Sequence, residues 1–106
     1  MSALADEFWE LETAIKRLLA LFEEVDEKFW STYLRRGLLQ VQGHRLSGAT
    51  YVLGCFGGQD TLSDLIVGAH LEHAEPLRYR NQNARLSELR TAVFDAANVI
   101  TSRRSW

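Results

Sequence analysis

LGCFGGQDTLSDLIV, residues 53–67, punctuates a chain that otherwise reads as helix. An apolar run ends in Cys55 and Phe56, and Gly57 and Gly58 follow. Paired glycines between apolar runs mark a place where the backbone turns sharply or approaches something closely. Thr61-Leu62-Ser63-Asp64 then reads as a capping box: the Thr hydroxyl accepts from a backbone N–H, and the acid three residues on reaches back. The segment therefore predicts a structural corner: a helix stop, a permissive turn at Gly57 and Gly58, and a capped restart through Thr61 and Asp64. A short helix from Leu62 to about Gly68 follows. LIV at 65–67 also suits a short strand, but one isolated strand has nothing to pair with.

Outward from this corner the periodicity is helical. Leu4, Phe8, Leu11, Ile15, Leu18, Phe22 and Val25 recur at alternating spacings of four and three, a heptad-like stripe. Ser2 suits the N-cap, and Trp9, Leu19 and Leu21 widen the apolar face toward that of a bundle helix. Asp26 can cap a second helix over 27–42, with Gly43 in the left-handed position at its end. Gly37 inside it suggests a close helix crossing. A third helix is predicted over 45–55, capped by Ser47 or His44. Residues 69–82, with Pro76, read as an exposed loop. A last helix starts near Asn81 or Asn83 and buries Leu86, Leu89, Val93, Ala96 or Ala97, and Ile100. The fold class is all-α: a compact bundle of about four longer helices plus one short helix after the Gly-Gly corner, in one domain over 1–106.

A chain of 106 residues can bury one core, and its 46% hydrophobic and 25% charged content is ordinary for a globular protein. The net charge of −2 hides an asymmetry: residues 1–27 carry −6 and the remainder +4. The bases are scattered, in no run longer than a pair such as Arg35-Arg36 or Arg103-Arg104, which argues against nucleic acid. The single cysteine permits no internal disulfide. No apolar run approaches the ~20 residues that span a bilayer, and the acidic start is unlike a signal peptide. A cytoplasmic location is the expectation.

Few residues carry a chemical pattern. His70, Glu72, His73 and Glu75 form the densest set of metal-ligand types, but their spacing is not that of a zinc site, and neither metal nor cofactor is expected. Cys55 would serve as a nucleophile only with His44 or His70 beside it; its apolar surroundings suit a core thiol better. Asp60 and Asp64 are explained by turn and cap. Gly54, Gly57 and Gly58 match no phosphate-loop pattern. Trp9, Trp30 and Tyr33 read as core, and Trp106 as an aromatic docked on the bundle.

Trp30 and Leu34, the run Leu53, Phe56, Gly57, Gly58, Thr61, Leu62, Asp64, Leu65, Ile66, and the closing Asn83, Leu86, Leu89, Arg90 together resemble a family of small, uncharacterised bacterial proteins. Its signature is close to L-x-x-[FY]-G-G-M-G-S-[FL]-N-D-L-[VI], and it ends N-x-x-L-x-x-L-R. This chain departs from it at Gln59, Asp60 and Ser63. The resemblance implies a helical fold and no agreed activity.

The functional expectation is a non-enzymatic protein-binding module, most specifically an immunity or antitoxin-like protein that masks a bacterial toxin. A basic toxin domain would meet Glu23, Glu24, Asp26 and Glu27, or the loop carrying His70, Glu72, His73 and Glu75. The alternative is a structural or regulatory homodimer formed through the first helix. A third reading is an enzyme or metal protein using His70, His73 and Cys55.

Overall fold

The computed structural model describes residues 4–57 and 61–103. The expected Ser2 cap, the corner residues Gly58, Gln59 and Asp60, and Trp106 lie outside them. Among the described residues the fold is made of four α-helices: α1 (Ala5–Glu24), α2 (Lys28–Gln42), α3 (Leu46–Gly54) and α4 (Pro76–Arg103). Two 3-10 turns, Leu62–Asp64 and Ala69–Leu71, lie between α3 and α4. The principal contacts run α1 to α2, α2 to α3, α3 to α4 and α4 back to α1, so the helices close a ring around one core.

The α1 stripe explains that core. Phe8, Leu11, Ile15, Leu18 and Phe22 are buried, with Leu4 and Val25 packed at its margins. Each such side chain contributes about 1.5–3 kcal/mol by leaving water. Leu86, Val93, Ala97 and Ile100 supply the matching stripe of α4. Trp9 departs from the core expectation: one position after Phe8, it turns away from the core and is 65% exposed. Phe29 and Tyr33 are exposed as well, while Trp30 is half-buried.

α1 and α2 end in the same backbone device. Glu27 N donates to Phe22 O at 2.8 Å and Asp26 N to Glu23 O at 3.3 Å. Arg45 N donates to Gln40 O at 3.1 Å and His44 N to Val41 O at 3.0 Å. These paired bonds satisfy carbonyls that a helix end leaves free, and they require one left-handed residue. Asp26 (φ 59) and His44 (φ 55) take that role. The expectation that placed Gly43 there is off by one residue: Gly43 has φ −83 and still closes the last helical turn. Asp26, occupied by the turn, does not cap α2; the Glu27 carboxylate accepts from Trp30 N at 2.9 Å. α3 starts at Arg45 without a side-chain cap, so neither Ser47 nor His44 serves.

α2 and α3 approach closely because two glycines face the seam. A Cβ on Gly37 would lie 2.9 Å from both Tyr51 Cδ1 and Val52 Cγ2. One on Gly48 would lie 2.8 Å from Val41 N and 2.9 Å from Gln40 Cβ.

Beyond the corner, the predicted helix over 62–68 is a single 3-10 turn followed by irregular chain, with Gly68 at φ 65. Thr61 makes no side-chain capping bond to that turn; its carbonyl accepts from Asp64 N at 3.0 Å. α3 stops at Gly54, ahead of the expected Gly57-Gly58 break, and Leu62 N returns to Cys55 O at 2.8 Å.

α4 holds the largest correction. It begins at Pro76, so residues 76–82, expected as loop, are helical. Proline suits the first helical position, where its fixed φ helps and its missing N–H costs nothing. Glu24 meets Arg85 at 2.6 Å and Glu7 meets Arg103, so α1 and α4 run antiparallel. The α4 residues before Arg85 therefore extend roughly 13 Å past the end of α1, at 1.5 Å per residue, in a molecule measuring 51 × 24 × 19 Å.

Candidate functional site

The clearest site is an aromatic face on the α2–α3 seam. Phe29, Trp30 and Tyr33 share one side of α2 by helical spacing, and their rings touch at centroid distances of 5.1–5.6 Å. Tyr33 stacks on Tyr51 of α3 at 6.2 Å and 23°, and the Arg36 guanidinium lies 5.9 Å over the Tyr33 ring. These side chains, with Thr50, Gly54 and Cys55, line an open cavity of about 470 Å³. The glycine seam beneath brings α3 close enough for Tyr51 to reach Tyr33.

Two groups at the floor have altered acidity. Burial pushes the Cys55 thiol above its ordinary value; its Sγ contacts Tyr51 O at 3.7 Å. Burial and the neighbouring Cys55 raise Tyr51, while Arg36 acts in the opposite sense. Tyr51 Oη is shut from solvent, with no hydrogen bond by distance and angle among the described residues. No hydrogen bond links Cys55 to His44 or His70 among those residues; the His44 ring stacks on Phe8 at 5.2 Å and 11°.

The structure divides the expected acidic surface. Glu23, Asp26 and Glu27 border a depression of about 370 Å³ at the α1–α2 turn, together with Arg35. Glu24 and Glu75 border another of about 580 Å³, under the overhanging start of α4. Three of these acids are engaged: Glu24 with Arg85, Glu75 with Arg78 at 3.4 Å, and Glu27 as the α2 cap. Asp26 lies 3.8 Å from Lys28, both exposed. His70, Glu72 and His73 are exposed on the approach to α4 and border neither depression. Among the described residues, no group of three or more His, Cys, Asp or Glu is placed to hold a metal ion. Likewise, no helix is long and apolar enough to cross a membrane.

Asn83 and Arg90 do work that periodicity did not reveal. Asn83 Oδ1 accepts from Val67 N at 3.0 Å, while its Nδ2 donates to Val67 O and Tyr79 O, each at 2.9 Å. Arg90 Nη1 donates to Leu62 O at 3.2 Å and Leu65 O at 3.0 Å. The closing Asn–Arg pattern of the chain therefore straps the corner segment to α4. Comparison with protein-family models, curated proteins and solved structures finds no match for this chain.

Proposed function

We propose that this chain is a non-enzymatic protein-binding module of the immunity or antitoxin type, which masks the working surface of a toxin. The observation that supports this is the aromatic face of α2 and α3. Phe29 stands 61% exposed beside Trp30 and Tyr33, with Arg36 over the Tyr33 ring. Tyr, Trp and Arg are the residue types that concentrate binding energy at protein interfaces, and a shallow cavity gives a partner's side chain somewhere to anchor. The seam below is tightly packed, so the face is presented already formed, which lowers the ordering cost of binding.

Co-expression with the products of neighbouring genes tests the reading. The wild-type chain should rescue growth from one of them and co-purify with it. Phe29→Ala combined with Tyr33→Ala should lose both while keeping its helical circular dichroism. Full protection by the double variant would remove the aromatic face from the proposal.

The first-helix stripe favours no second reading. Leu11, Ile15, Leu18 and Phe22 are covered by the chain's own helices. A dimer built on that stripe would have to open the bundle.

A further inference from the structure

The outer edge of α2 carries a second surface, which adjoins the aromatic face at Arg36. Here α2 and Leu19 of α1 line an open, largely apolar depression of about 560 Å³, formed by Leu19, Thr32, Arg35, Arg36, Leu38 and Leu39. Leu39 is 72% exposed and Trp9 65%, the two most exposed large apolar side chains outside α4 among the described residues. Helical geometry puts Trp9 on an outward stripe with Lys16 and Ala20, beside the row of Leu19. Knob and hole thus open on the same side of the molecule.

Their register is fixed by the Phe8–His44 stack, which sets the start of α1 level with the end of α2. Trp9 and Leu19 are ten residues apart, roughly 15 Å along α1. The midpoint, near Ala14, falls level with Leu38 and Leu39 in the antiparallel partner helix. A two-fold axis passing at Leu39 would carry Trp9 of one copy onto the cavity of the other, and the reverse.

Charge agrees with this exchange. The exposed Asp6 and Glu10 lie within one helical turn of Trp9, whereas the cavity rim carries Arg35 and Arg36. None of these four forms an ion pair among the described residues. α2 contains Lys28, Arg35 and Arg36 and no acid at all. An indole with acids within one turn, entering an arginine-rimmed apolar cavity, combines apolar burial, cation–π stacking and opposite charge.

We infer that the α1–α2 face is a self-complementary dimer interface, in which Trp9 of each copy fills the Leu19–Leu39 cavity of the other. A surface patch that contains both its own knob and its own hole is what a closed two-fold dimer requires.

Sedimentation equilibrium tests this with the full chain. The wild type should show twice the 12.1 kDa chain mass at tens of micromolar, a range that detects weak dimers. Trp9→Ala should weaken association by about thirtyfold or more, as a central Trp does, with unchanged helicity because Trp9 is outside the core. Charge reversal sharpens the test. Arg35→Glu with Arg36→Glu should be monomeric alone, and so should Asp6→Arg with Glu10→Arg. Mixed, the two variants restore both contacts and should form a heterodimer. A wild type that stays monomeric at about 100 μM overturns the inference. So does a dimer that survives Trp9→Ala, or a mixture that stays monomeric.

Discussion

The α2–α3 seam and the corner over residues 61–68 are both held tightly, by opposite means. The seam is made by missing side chains: Gly48 lets α3 approach the backbone of α2, and Gly37 makes room for Tyr51 and Val52. The corner has little regular structure and is held by added side chains, with Asn83 and Arg90 bonding to Val67, Leu62 and Leu65. A seam made by absence tolerates no new atom. A strap made of hydrogen bonds fails when a donor or acceptor is removed. The two regions meet at Cys55, whose carbonyl receives Leu62 N.

Gly48→Ala should have the largest effect. Its Cβ would be placed against the backbone of Gln40 and Val41, which cannot rotate away. A loss of about 3 kcal/mol is expected in chemical denaturation. Gly37→Ala meets only side chains of Tyr51 and Val52, and alanine regains about 1 kcal/mol of helix propensity. It should cost about 1 kcal/mol or less. Equal effects at the two glycines would show that the seam is not limited by backbone approach.

Asn83→Ala comes next, at about 2 kcal/mol, because it strands the N–H and carbonyl of the buried Val67. Its signature is regional: amide exchange over 62–68 should accelerate while that of α2 stays unchanged. A uniform acceleration throughout the chain would mean the strap is not a separate unit.

The junction predicts an alkaline effect. Below the ordinary thiol value near pH 8.5, Cys55 is protonated in both states and contributes no pH dependence. Above it the unfolded chain ionises first, because burial raises the native value. Stability should fall as pH rises, by about 1 kcal/mol or less at pH 9. Thermal melts from pH 7.5 to 9.5 should show a shallower loss for Cys55→Ala. An identical slope would assign the loss to other groups.

Much of the fold was legible wherever apolar residues recur at helical spacing. The stripes Leu11–Phe22 and Leu86–Ile100 are buried as their periods require. Periodicity does not reveal how wide an arc neighbouring helices will cover, so Trp9 and Tyr33 read as core and stand exposed. It is silent, too, where a helix overhangs the core. Residues 76–82 carry no apolar stripe and read as a loop, yet they form the first turns of α4. Left-handed backbone is a second blind spot: Gly43 drew attention, while His44 adopts the conformation. The acids at 23–27 were legible as a charged group, but not their engagement by Arg85 and by the α2 N-terminus. Asn83 and Arg90 reach residues 16 to 28 positions away, beyond any local pattern.

The ring order of the helices also has a kinetic side. Three of its four contacts join helices adjacent in the chain, and two of the connections are tight reversals held by backbone bonds. Such contacts close short loops and form early; bringing α4 back to α1 closes the longest loop and comes at greater entropic cost. The α1–α4 pairing is then the last door to shut on folding and the first to open on unfolding. Shortening a buried α4 side chain with Ile100→Val should therefore speed unfolding and leave the refolding arm of a chevron nearly unmoved. A change confined to refolding would place α4 in the nucleus instead.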